Sequence, residues 1–217
     1  MKKAVTRILC LLLGLLIGAG SLYFFMRLSD RSTVERLLGD TVPQMNVSSS
    51  CSENELTSLA LEVAGYIKNR DFQSLSEIIH PEYGVVFSPY ATVNLSTDKS
   101  FTAAQVAAFG TDSEQYVWGI VDGLGSPIAM TPADYFTNYV YDSDYYAAPV
   151  LGVNHVVKSG NDLDNVMEMF PGAQYVDLHN PGTSAKSYRD WSTLRLVFEE
   201  YGGSMRLTAI IHSQATI

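Results

Sequence analysis

Hydrophobic and polar positions change their spacing several times along this 217-residue chain, and each change marks an element. From residue 8 to residue 26 there is no charge, between Lys2, Lys3 and Arg7 on one side and Arg27 on the other. As a helix that run would be roughly 28 Å long, close to the hydrocarbon thickness of a bilayer, so residues 1–27 read as a single-pass membrane anchor. Residues 8–17 followed by Gly18, Ala19, Gly20 and Ser21 would also suit a cleavable signal peptide and a secreted product. Cleavage there would leave apolar residues 22–26 at the new terminus, which favours the anchor. Three cations and no acid precede the run, whereas Arg27, Asp30, Arg31, Glu35 and Arg36 follow it. That asymmetry puts the N-terminus in the cytoplasm and the remainder outside. Residues 28–51 are polar, contain Pro43 and end in a serine run before Cys51, as a linker would. Residues 52–217 then form one extracytoplasmic domain.

Within that domain Ser52 and Glu55 form a capping box, and Leu56, Leu59, Ala60, Val63, Ala64 and Ile67 recur at helical spacing up to about Asn69. Asp71 caps a shorter helix with Phe72, Leu75, Ile78 and Ile79 on its buried face, stopped by His80 and Pro81. Residues 84–88 read as a strand. Thr102 and Gln105 cap a short helix closed by Gly110; residues 116–121 follow as a strand and residues 122–126 as a turn. Thr131, Pro132 and Asp134 begin another helix in the order its dipole favours. Strands are expected at 150–157 and 175–178, with a helix at 162–170. Last comes a hairpin: Leu194, Leu196 and Phe198 alternate with Arg195, Val197 and Glu199, and Gly202 and Gly203 supply a turn needing positive φ. A two-residue loop sets Phe198 opposite Leu207, Leu196 opposite Ala209, Leu194 opposite Ile211 and, on the other face, Glu199 opposite Arg206.

Charge narrows the possible partners. All 23 acids lie beyond residue 27 while four of the 14 cations do not, leaving the rest of the chain at −13. A surface so acidic argues against nucleic acid and against general electrostatic binding to anionic lipid or wall polymer. Cys51 alone lies beyond the anchor, so the exported domain holds no internal disulfide.

Two N-terminal helices, a proline stop, a strand, further helices and a long terminal hairpin resemble the NTF2-like, cystatin-like fold. Residues 80–90 (HPEYGVVFSPY), 117–128 (VWGIVDGLGSPI) and 190–211 (DWSTLRLVFEEYGGSMRLTAII) look like segments of uncharacterised exported or membrane-anchored bacterial proteins. The resemblance spans most of residues 52–217 and implies an α+β cone, a curved antiparallel sheet packed on helices, with a pocket at its mouth. That family has no universal catalytic motif, so the resemblance transfers architecture and no active residues. The chain is longer than a minimal unit of this kind, which leaves the strand order across residues 91–180 open.

Candidate chemistry is sparse. Ser96 to Lys99, Ser143 with Asp144, and Lys158 to Gly160 follow the order of penicillin-recognising serine enzymes, but Ser96 and Lys99 fall in a loop before the nearest helix cap. His80, His155, His179 and His212 show no metal spacing. Asp142 with Asp144, or Asp162 with Asp164, could share calcium but lack the EF-hand glycine and distal glutamate. No cofactor is expected. The aromatic run offers the better candidate: Tyr135, Tyr139, Tyr141 and Tyr145 with Asp142, Asp144 and His155 could line a pocket and orient a ligand. The competing reading buries the first rings, and Trp118 and Trp191, as core. The expectation is therefore a non-catalytic binding or assembly module at the cell membrane, meeting an envelope protein or a small ligand. The enzymatic alternative is a small lyase, isomerase or hydrolase using a Tyr, Asp or His acid/base.

Overall fold

The computed structural model describes residues 51–121 and 123–215. The expected anchor and the linker up to residue 50 lie outside them, and no helix among the described residues is long and apolar enough to cross a membrane. Helix α1 (Glu53–Asn69) opens on the expected capping box, buries Leu56, Ala60, Val63, Ala64 and Ile67, and ends at Arg70 in the left-handed conformation. Asp71 accepts from the Ser74 N–H to start α2 (Phe72–Ile78). The chain then turns at His80, whose Nδ1 accepts from the Glu82 and Tyr83 amides while its ring stacks on Tyr83. Gly84, at φ 71°, closes that turn where a Cβ would lie 2.3 Å from the Phe101 carbonyl oxygen, so only glycine fits.

Eight strands follow among shorter helices: β1 (Val85–Ser88), β2 (Lys99–Phe101), α3 (Ala103–Ala107), β3 (Tyr116–Ile120), β4 (Pro127–Met130) and α4 (Pro132–Tyr135). The chain continues through a π turn (Phe136–Val140) and a 3-10 turn (Tyr145–Ala147) to β5 (Val150–Val153), α5 (Val166–Met169), β6 (Gln174–Asn180), β7 (Ser192–Tyr201) and β8 (Ser204–Gln214). The class is α+β, as expected. Six strands form one sheet in the order β2-β1-β8-β7-β6-β5, and β3 and β4 pair separately. The sheet is mixed rather than purely antiparallel, because β1 runs parallel to β8. The short β2 and β4 escape the sequence pattern: Lys-Ser-Phe and Pro-Ile-Ala-Met carry little alternation or β-branching. Strand β5 stops at Val153 rather than 157, since Asn154 turns left-handed at φ 51° and binds Tyr175 through both backbone and side chain.

The terminal hairpin forms with one correction. Near the turn Glu199 faces Arg206 and Phe198 faces Leu207, as the loop length dictates, but a β-bulge then shifts the register. Beyond it Leu196 faces Ile210 and Leu194 faces His212, not Ala209 and Ile211. Thr208 is the extra residue, its buried hydroxyl donating to the Val197 carbonyl. A one-residue slip exchanges the faces of a strand. Ile210 and His212 therefore join Leu194, Leu196 and Phe198 towards the helices, while Ala209 and Ile211 join Val197 on the opposite face.

Both faces are covered. Under the helices Phe87, Phe101, Phe109, Trp118, Tyr135 and Phe136 meet largely edge to face at ring separations up to 6.1 Å, apart from Trp118 on Tyr135, which stack at 3.9 Å. The opposite face is roofed by Val166, Phe170 and Ala173. Through it run the buried ion pairs of Arg195, whose guanidinium forks onto Asp177 at 2.6 and 3.1 Å, reaches Asp164 from the roof and lies over the Tyr175 ring. Asp177 also accepts from the Val157 amide, so one carboxylate fixes the roof to two strands.

Breaking a buried pair by removing one partner strands a charge and costs about 3–5 kcal/mol. Asp177→Ala is expected to lower the free energy of urea unfolding by that amount, whereas Leu163→Ala, at 74% exposure beside Asp164, changes it by less than about 0.5 kcal/mol. Equal losses would show that the pair does not hold the roof.

Candidate functional site

Of the seven residues expected to share a pocket, Tyr139 and Asp142 meet His212 of β8, Tyr145 joins them through Asp142, Tyr135 is core, Tyr141 and Asp144 turn towards α1, and His155 lies elsewhere. Thr131 caps α4 by accepting from the Asp134 amide, and the helix widens into the π turn, where the Tyr141 amide reaches back to Phe136. Tyr135 stacks on Trp118 and is core; Tyr139 stacks partly on Tyr135 at 5.1 Å and presents its ring at 90° to His212. The His212 Nε2 sits 3.3 Å from Asp142, and its Nδ1 sits 3.3 Å from the Pro89 carbonyl oxygen. The Tyr145 hydroxyl donates to the other Asp142 oxygen at 2.6 Å. Burial penalises the Asp142 charge, but the His212 hydrogen bond and charge and the Tyr145 hydroxyl outweigh it and hold the carboxyl below its usual range. Burial, and then Asp142, push the Tyr145 phenol far up, so it remains a donor.

Tyr141 and Asp144 form a separate surface cluster. The Tyr141 hydroxyl donates to Asp144, and Lys68 of α1 meets the same carboxylate at 2.9 Å while passing over the Tyr146 ring. The Tyr141 bond, followed by Lys68, lowers the Asp144 carboxyl. His155 is exposed on the turn after β5, and its side chain makes no hydrogen bond, ion pair or ring contact with the described residues. The expected aspartate pairs divide in the same way: Asp142 turns to His212 and Asp144 to Lys68, while Asp164 turns to Arg195. Among the described residues no three His, Cys, Asp or Glu side chains gather to hold a metal ion. Nor do Ser96 and Lys99 meet as a serine enzyme would need, since Ser96 closes a turn on Asn94 and the Lys99 ammonium lies over Phe101 and Tyr116.

A cleft of about 580 Å³ lies between residues 90–98 and the β3–β4 turn. Tyr90 lines it, and the nearby Tyr139 presents its ring to His212. Beside it Asp98 accepts from the Asn94 backbone amide at 2.9 Å, and burial lifts its carboxyl above the usual range. Gly119 admits this arrangement, because a Cβ there would press on Pro89 at 2.9 Å and meet Asp98 at 3.5 Å. A smaller polar cleft of about 280 Å³ touches Asp142 from the far side, beside Ser192 and Trp191.

His212, Tyr90 and Asp98 fall outside the pocket residues that the sequence proposes. An unbulged register would set His212 on the opposite face, and the run Asn94–Asp98 offers only turn formers. No protein-family model matches this chain, and no curated protein matches it.

Asp142 yields a pH dependence. Its carboxyl is depressed on folding, so its contribution is complete above the unfolded value near 4 and disappears as pH falls through the lower folded value. Urea midpoints from pH 7 to pH 2.5 are expected to converge between wild type and Asp142→Asn below about pH 4. Curves that stay parallel would mean that the His212 contact does not stabilise the carboxylate.

Proposed function

We propose that this chain is a membrane-anchored, extracytoplasmic module of NTF2-like, cone-shaped form that binds a ligand or an envelope partner without transforming it. The observation that supports this most is the filling of the space between helices and sheet by Phe87, Phe101, Phe109, Trp118, Tyr135 and Phe136, all at most 2% exposed. A reaction chamber at that position would need the same volume. His212, the best-placed base, is 1% exposed beneath Tyr139, with a carbonyl and a carboxylate on its two nitrogens, so a substrate proton cannot reach it. The recesses lie instead at the surface, as recognition sites do. The anchor reading rests on residues 8–26 and the cation asymmetry around them.

One observation favours the enzymatic reading: Asp98, which lines an accessible cleft, carries a raised carboxyl, as a general acid would. Turnover of an envelope substrate by the purified chain, abolished in Asp98→Asn with unchanged folding, would establish that reading in place of the first.

The topology is tested in intact cells carrying the full-length chain with a C-terminal tag. External protease is expected to remove the tag, while alkaline carbonate leaves the chain in the membrane fraction. A protected tag would overturn the orientation, and a soluble exported product would replace the anchor by a signal peptide.

A further inference from the structure

We propose that the cleft between residues 90–98 and the β3–β4 turn is a site for a neutral saccharide of one or two rings. Its volume, about 580 Å³, lies within the range of small-ligand sites. One wall is apolar, from Ile120 and Val121; Gly123 and Gly125 line the turn, and Tyr90, Thr92, Asn94, Thr97, Asp98 and Asp162 make up the remainder, the threonine hydroxyls donating to backbone carbonyls and keeping lone pairs to accept. A sugar presents the same mixture, C–H faces that lie on rings and aliphatic walls and hydroxyls that both donate and accept. No lysine or arginine lines the cleft among the described residues, so phosphate and carboxylate ligands lack a counter-charge.

Amines are the competing class, since Asp98 and Asp162 both border the cleft. The Asp98 carboxyl already accepts from the Asn94 backbone amide, and burial disfavours its charge, which favours a hydroxyl over a full counter-ion. The Asn94 carbonyl oxygen is held by the Ser96 amide, which fixes the orientation of its NH₂ group for use as a donor. Tyr90 packs against the buried core, so the ring that would stack on the sugar is held before binding.

This proposal rests on reading the domain as a binder. The test uses the full-length chain in a zwitterionic detergent free of sugar headgroups, with saturation-transfer NMR and calorimetry. Cellobiose, maltose and diacetylchitobiose are the free-sugar probes, hydroxyethyl cellulose the polymer probe, and tetramethylammonium the amine probe. At least one disaccharide is expected to bind with Kd on the order of 0.1–1 mM. Ile120→Arg, at a position already 39% exposed, is expected to weaken it about tenfold with an unchanged thermal midpoint, and Asn94→Ala should weaken it in the same direction. Tighter binding of the polymer would identify a surface glycan as the source, and equal binding a free sugar. No sugar binding, binding indifferent to Ile120→Arg, or binding of tetramethylammonium alone would overturn the proposal. Conversion of a bound sugar to product would leave this site standing and overturn the non-catalytic reading instead.

Discussion

A sheet buried on both faces has nowhere to put a polar side chain except against another polar side chain, and this constraint organises the domain. Strands β6, β7 and β8 present Val176, Leu178, Leu194, Leu196, Phe198, Leu207 and Ile210 to the helices, and Tyr175, Val197, Ala209 and Ile211 to the roof. Arg195 and Asp177 occupy the roofed face, where an unpaired charge would cost several kcal/mol. Their bidentate contact, completed by Asp164, lets that face close. His179 meets Thr193 on the same grounds: burial lowers its basicity, and the hydroxyl at 2.7 Å supplies its partner.

The other face is closed by rings. Aromatic side chains bury large areas with few rotatable bonds, and the contacts around Phe87 and Phe109 are largely near-perpendicular. Trp118 anchors the separate β3–β4 hairpin to this cluster, its indole N–H donating to the Met130 carbonyl at 2.9 Å. The hairpin is therefore carried by the core at one end while its turn lines the large cleft. Rigid support behind an accessible recess is the arrangement that recognition sites share.

One extra residue in β8 couples the two halves of the site. With Thr208 bulged, His212 faces the π turn, where Asp142 and Tyr139 receive it. The π turn contributes in the same sense, since its wider coil ends at Tyr141 and delivers Asp142 and Tyr145 together. Bulges and π turns recur where a side chain is re-aimed. Here the result is that His212 of β8 meets the Asp142 carboxylate through one nitrogen and the Tyr139 ring at a right angle.

The sequence by itself determined whatever depends on neighbours within a few residues. Capping pairs at Ser52 with Glu55, Thr102 with Gln105, and Thr131 with Asp134 set helix starts; the Gly202–Gly203 turn set the first hairpin pairs; alternation set the longest strands. The α+β class followed from these. The tyrosine run was legible as a cluster, but the division of its members between His212 and Lys68 was not. Only the tertiary structure decided the parallel contact of β1 with β8, the bulge at Thr208, the partners of Arg195 and the meeting of His212 with Asp142. Each joins residues far apart in the chain, and local propensity carries no information about which distant groups will close a face or satisfy a buried charge.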